Sequence, residues 1–281
     1  MDSKRLRVEI FEGTRDLYQS SEILKNAVAK SRSEQKIYWE GEEIAFGAPR
    51  FPESFKAVVS KEKTVQAAEK YARMGKRVCI LNFASSVAPG GGVLTGEQAQ
   101  EESICRVSTL YFALSDSDTA GKFYDRHWEL IRAKKMNRRN TDDIIYTPDV
   151  AVVRDDSAEE VMLPEENWFF VDVITCAAPD IRPVGDETQY TPEREELYAE
   201  FVKRWRCILA AGAKHGADVL VLGAFGCGVF ANPPELVARA FCDAAKGLEN
   251  YFETVEFAIY SPRENDLKFA EFEKTVAGME I

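Results

Sequence analysis

The chain has 281 residues, 45% hydrophobic and 30% charged, which is ample material for a packed core and excludes extended disorder. Asp and Glu outnumber Lys and Arg by 47 to 36, a net charge of −11. That balance excludes non-specific nucleic-acid binding through a broad basic face, so a polyanionic ligand must be held locally, by backbone amides or a helix N-terminus.

The opening MDSKRLRVEIFEGTRD has no apolar signal core, and no segment approaches the roughly 18 apolar residues of a membrane span. A cytoplasmic protein is expected, or a nucleocytoplasmic one if the source is eukaryotic. Residues 14–31 place Leu17, Ile23, Leu24, Ala27 and Ala29 near helical spacing and lead into the β-rich KIYWEG. Residues 56–83 then read as the strand KAVVS, a helix TVQAAEKYARM ending before Gly75, and the buried strand RVCILNF. Residues 98–148 read as mostly helical, with MNRRNTDD at 136–143 as an exposed loop.

The alternation returns as the strand WFFVDVITCAA, a helix from Pro192 to His215, the strand DVLVLGAF and the helix PPELVARAFCDAAKGL. The strand VEFAIY and the helix NDLKFAEFEKTV close the chain. Such alternation predicts an α/β fold with a largely parallel or mixed sheet covered on both faces, whose ligands bind beyond the carboxyl ends of the strands. The length suits a single domain over 1–281, of which about 1–55 form an N-terminal extension. Six cysteines are scattered singly; five read as small core residues, and no zinc site or other metal is expected.

Two segments carry chemistry. In LNFASSVAPGGGVLTGEQAQEESICRVSTLY, residues 81–111, a buried strand runs into Gly90, Gly91 and Gly92 and then into a helix. Packing alone gives no reason for three glycines; they permit positive φ and bring amides close to a phosphate or an anionic oxygen. By itself the triplet also fits a flexible surface turn. Glu101 and Glu102 follow Gln100 in the first helical turn, where they either complement the helix dipole or serve a reaction. Adjacent helical residues point about 100° apart, so the two glutamates have different jobs. The second segment, VLGAFGCGVFANPPELVARAF at 221–241, repeats strand, glycine loop and helix. Neither loop matches GxGxxG, so a dinucleotide-binding Rossmann site is not supported. ITCAAPD at 174–180 reads as a strand ending in small residues.

Together these residues resemble the microbial-type poly(ADP-ribose) glycohydrolases, whose signature is three glycines, a six- to eight-residue spacer and Gln-Glu-Glu. Here the spacer is the seven residues VLTGEQA. The resemblance continues through IIYTPDVAVVRDD, ITCAAPD, GAFGCGVFANPP and VEFAIY, nearly the whole chain from about residue 10. It implies a macrodomain-like mixed sheet with helices on both faces, an N-terminal helical extension, and ADP-ribose lying across the strand ends. It also implies roles. Glu102 is the catalytic acid, Glu101 holds hydroxyls of the ribose being cleaved, and Gln100 supports the loop. Gly226, Gly228 and Val229 wrap the diphosphate, with Phe230 against the ribose next to the scissile bond. Asn82 and Ala177 line the nucleoside side, and Tyr260 stacks on adenine, although a core or surface tyrosine is an equal reading of Tyr260.

The implied reaction hydrolyses a ribose–ribose O-glycosidic bond of poly(ADP-ribose) or of an ADP-ribosylated protein and releases ADP-ribose, without metal or cofactor. Its oxocarbenium-like transition state needs a proton for the departing oxygen, so the Glu102 carboxyl is expected to be raised into the neutral range. Two rivals stand beside this reading. One is a non-catalytic ADP-ribose-binding macrodomain, which has no need of the second glutamate. The other is a hydrolase of mono-ADP-ribosylated protein or nucleic acid, which uses the same pocket.

Overall fold

The computed structural model describes residues 3–183, 192–261 and 265–276. Two helices open the chain, α1 (Ser3–Ser20) and α2 (Glu22–Glu34), where the sequence suggested one. The break falls at Ser21, which is extended and whose Oγ accepts the Leu24 amide at 3.3 Å, capping the second helix. The break also rotates the apolar face. Phe11, Leu24 and Val28 are buried, whereas Ile23 and Ala29 are exposed.

The strand β1 (Lys36–Tyr38) and the unit β2 (Lys56–Ser60), α3 (Thr64–Arg73), β3 (Val78–Phe83) follow as expected. Next come α4 (Gln100–Val107), α5 (Leu110–Leu114), the single turn α6 (Ser117–Thr119), a π-helical segment Ala120–Asp125, and α7 (Arg126–Arg132). The expected helical stretch stops there, because β4 (Ile144–Val152) starts before residue 148. Pro148 and the left-handed Asp149 (φ 51°) sit at a bulge between Thr147 and Val150 that disguises the strand's period. The loop at 136–143 is less exposed than expected, since Met136, Asp142 and Asp143 are buried.

The remaining elements are β5 (Phe169–Cys176), α8 (Arg194–Lys214), β6 (Val219–Leu222), α9 (Pro234–Ala245), β7 (Thr254–Ala258) and α10 (Leu267–Val276). The seven strands form one sheet in the order β1-β4-β5-β3-β6-β7-β2. β5, β3, β6, β7 and β2 run parallel, and β4 and β1 add antiparallel neighbours beside β5. Burial on both faces accounts for the unbroken apolar runs of the central strands. Cys79 and Leu81 face the layer of α8, α9 and α10, whereas Val78 and Ile80 face that of α1, α3, α4 and α5. The same alternation turns Asn82 toward α4. Cys79, Cys105 and Cys176 are core residues, as expected, while Cys207, Cys227 and Cys242 are half-covered; all six are free thiols.

Candidate active site

The parallel strands β5, β3, β6 and β7 end together, so their exit loops meet at one end of the sheet. Ala84, leaving β3, donates its amide to Cys176 O at 3.0 Å and binds the β3 exit to that of β5. The chain then loops through Gly90–Gly92 into α4. Gln100 clamps this loop to the sheet: its Oε1 accepts the Phe83 amide (2.8 Å), and its Nε2 donates to Leu81 O (2.6 Å) and Thr64 Oγ1 (3.1 Å).

Glu101 and Glu102 are both buried, 3% and 7% exposed. Glu101 accepts Asn82 Nδ2 at 3.2 Å and the Ser85 amide at 2.7 Å. Glu102 accepts the Gly92 amide at 2.8 Å and the Ala99 amide at 3.1 Å. The glycine loop therefore does cradle anionic oxygens, and in this structure they are the protein's own. Packing does demand these glycines, contrary to the expectation from sequence. A Cβ on Gly90 would lie 2.7 Å from Tyr111, one on Gly91 would collide with the Glu102 carboxylate, and one on Gly92 would lie 2.5 Å from Glu97 Cγ. Gly90 and Gly91 also adopt the left-handed region, φ 68° and 56°.

Burial pushes the Glu101 carboxyl up to about 8, with the charge of Glu102 adding to it, against the hydrogen bonds from Ser85, Asn82 and Gly90. Asn82 is fully buried beneath Glu101, where its amide also reaches Thr175 Oγ1 at 3.3 Å, so it supports the carboxylate rather than lining open space. Ala177, at the β5 exit, is nearly covered as well.

Facing this cradle is the loop after β6. Gly226 (φ 74°) packs so closely on Ala178 and Asn232 that a Cβ would lie 2.6 Å and 2.7 Å from them. Asn232 fixes the loop, donating its side-chain amide to Pro179 O and Gly226 O. Val229 is 62% exposed, and Gly228 beside it is exposed as well. Among the described residues, the amides of Gly226, Gly228, Val229 and Phe230 donate to no protein acceptor. Phe230 is half-buried, its carbonyl accepting the Ile181 amide at 3.1 Å and its ring lying 5.5 Å from the Arg182 guanidinium. Tyr260, 55% exposed, follows β7 at the same end, with Lys63 Nζ 5.6 Å from its ring.

Several supporting residues carried no sequence signal. Arg106, on the back of α4, pairs with Glu160 and donates to Glu97 O, and Ser103 donates to Asp156. Tyr124, in the π-helical segment, is buried with its hydroxyl unpaired, and burial together with the Glu101 charge holds that phenol protonated. His127 faces two acceptors, Ser86 O at 2.9 Å and Asp143 at 2.8 Å, and so steadies the loop that presents Ser85.

The family model described as the microbial-type poly(ADP-ribose) glycohydrolase (PARG) catalytic domain matches residues 10–155. The poly(ADP-ribose) glycohydrolase of Thermomonospora curvata is 30% identical with a TM-score of 0.81, over 96% of this chain and 98% of that one. The same enzyme bound to the inhibitor ADP-HPD superposes with a TM-score of 0.77 at 29% identity, over 95% and 98%. The Deinococcus radiodurans enzyme in complex with ADP-ribose is 32% identical with a TM-score of 0.76, over 88% and 96%. None of the curated proteins compared matches the chain. With the signature glycines and the Gln-Glu-Glu helix placed at the strand ends of a macrodomain-like sheet, the chain belongs to the microbial-type poly(ADP-ribose) glycohydrolase family.

Proposed function

We infer that this protein is a poly(ADP-ribose) glycohydrolase, hydrolysing ribose–ribose O-glycosidic bonds and releasing ADP-ribose. The observation that carries the reading is the pair of buried glutamates at the β3 exit, facing a loop in which the amides of Gly226, Gly228, Val229 and Phe230 have no acceptor among the described residues. A module that only bound ADP-ribose would need that loop but not two buried carboxylates, which are costly to bury.

In this reading the diphosphate lies on the amides of Gly226, Gly228 and Val229, Phe230 positions the ribose at the scissile bond, and Tyr260 stacks on adenine. Gly90, Gly91 and Gly92 shape the wall around the glutamates, with Gln100 as their clamp. Glu101 binds ribose hydroxyls, and Asn82 and Ala177 act through the floor beneath it. Glu102 protonates the departing oxygen and then, ionised, activates the attacking water. Burial, with the charge of Glu102 adding to it, raises the Glu101 carboxyl, so Glu101 holds its proton more tightly than an exposed carboxyl does. The diphosphate orients the water, because both carboxylates come from one helix turn and cannot flank the sugar.

We treat residues 1–281 as one catalytic unit in which α1 and α2 are integral. No described helix is long and apolar enough to cross a membrane. Six free cysteines suit a reducing compartment, and we place the enzyme in the cytoplasm. The test is Glu102→Gln. Release of ADP-ribose from polymer should fall by the roughly 10²- to 10⁴-fold typical of losing a general acid, while ADP-ribose binds within several-fold of wild type by calorimetry. Undiminished hydrolysis moves the acid elsewhere, and a wild-type protein that binds ADP-ribose yet turns nothing over is a reader.

A further inference from the structure

In a chain of net charge −11, residues 126–139 hold six cations, Arg126, Arg132, Lys134, Lys135, Arg138 and Arg139, against one carboxylate, Glu129. Among the described residues Arg132, Lys134 and Lys135 form no ion pair, and all three are exposed. An aromatic face lies among them: Trp128 is 42% exposed, with the Arg132 guanidinium 5.9 Å from its ring. The segment is held in place, since the Lys135 and Met136 amides both return to Leu130 O and Met136 is buried.

The strand order gives this patch a direction. Tyr260 follows β7, the open-amide loop follows β6, and the glutamates sit beside β3. A ligand laid along that row has its scissile end toward β5 and then β4. The basic segment enters β4, and it is tied to the β5 exit: Asn140 donates to Ala178 O at 2.7 Å, and the Asp180 amide donates to Arg138 O at 3.0 Å. Asp180 in turn pairs with Arg138 at 2.9 Å and with Arg182 at 2.8 Å, and Arg182 lies against Phe230. Cations thus run from the proposed scissile ribose to the end of α7.

We propose that the surface formed by Trp128, Arg132, Lys134, Lys135, Arg138 and Arg182 binds the poly(ADP-ribose) chain beyond the scissile bond. The cations neutralise the diphosphates of the following units, and the Trp128 face stacks on an adenine, the combination that single-stranded polyanions use. The surface selects long polymer over short fragments. This inference rests on the proposed orientation of ADP-ribose, with adenine at Tyr260.

The test compares wild type with the triple variant Arg132→Ala, Lys134→Ala, Lys135→Ala and with Trp128→Ala, none of which touches the glutamates or either glycine loop. Affinity for long poly(ADP-ribose) is read by fluorescence anisotropy across a salt series, with turnover of long polymer and of the two-unit fragment alongside. The triple variant should bind long polymer ~5-fold or more weakly at low salt. Its log–log salt slope should be shallower by about 1 to 2, at roughly 0.7 for each phosphate no longer neutralised. Trp128→Ala should weaken polymer binding with the salt slope unchanged. ADP-ribose affinity and turnover of the two-unit fragment should match wild type in both. Equal polymer affinity in wild type and the triple variant overturns the surface, whatever the turnover shows. Equal competition by single-stranded RNA of the same length also overturns it, by making the patch a general polyanion surface. A wild type that binds polymer but releases no ADP-ribose refutes the hydrolase reading instead, leaving the anisotropy comparison decisive for the patch.

Discussion

Arg106 on α4 grips both carboxylate oxygens of Glu160, each at 2.7 Å, and Glu160 holds a left-handed backbone (φ 48°) where the two meet. Both side chains are buried, and a third guanidinium nitrogen reaches Glu97 O at 3.1 Å. Removing one partner of such a pair strands the other charge, so Arg106→Ala and Glu160→Ala should each lower stability by about 3–5 kcal/mol. Arg106→Lys keeps the charge but loses the fork and should fall between. Urea unfolding measures this, and a loss under about 1 kcal/mol for both alanine variants would show that the pair is dispensable.

Gly91→Ala should disable the site while leaving most of the fold in place. The new methyl group would meet the carboxylates of Glu101 and Glu102 and would impose an unfavourable φ of 56°. Backbone strain at such a position costs roughly 1–2 kcal/mol, small against global stability, whereas a displaced proton donor costs orders of magnitude in rate. Circular dichroism should therefore look native while kcat drops by ~10²-fold or more. Wild-type kcat in a folded Gly91→Ala protein contradicts the packing argument.

Glu101 gives stability a pH signature. Its carboxyl is pushed up from 4.5 to about 8 by burial. Between those values the folded protein keeps a proton that the unfolded chain has released. This contribution is intact below the unfolded value, declines as pH rises toward the folded one, and levels off above it. Glu101→Gln cannot titrate, so its stability relative to wild type should improve progressively across that window. Unfolding the two proteins at about pH 5 and about pH 8.5 reads the difference, and a variant-minus-wild-type stability that stays constant or falls with pH is incompatible with a protonated Glu101.

Cys227→Ser should retain most activity even though the residue lies in the loop proposed to hold the diphosphate. Burial pushes its thiol up, away from the nucleophilic thiolate, and its Sγ approaches Phe225 O at 3.6 Å. A fall in kcat beyond about 100-fold with unchanged ADP-ribose affinity would give the thiol a chemical role.

The sequence was most legible where one periodicity governed a whole element. The β2-α3-β3 unit, α8 and α9 fall where the apolar spacing places them, because each buries a continuous face. β4 escaped because Pro148 and Asp149 interrupt its alternation at a bulge that only pairing with β5 explains. The Gln-Glu-Glu helix could be found by its spacing from the glycines, yet not the fact that its carboxylates fill the glycine cradle themselves, which depends on loop geometry. Nor could Asn82 be placed beneath Glu101 from spacing, since that depends on which face of β3 meets α4. Arg106, Glu160 and Thr14 lie in three distant segments whose meeting is a property of the fold alone.

The first helix bears on the evolutionary limits of this site. Arg7 donates to Gly96 O at 2.6 Å, Lys4 pairs with Glu97, and the Thr14 hydroxyl reaches Arg106 O at 2.6 Å. Lys4 and Arg7 precede residue 10, where the match to the family model begins. What they align is the approach to Ala99, whose amide is one of two on Glu102. A substitution in the opening turn of the chain is therefore expected to reach the Ala99 end of that loop, without any change in the signature itself. Homologues that share every glycine and glutamate can still differ in rate through a segment that motif comparison discards, and grafting the α1 of one relative onto the body of another is a route to retuning the catalyst.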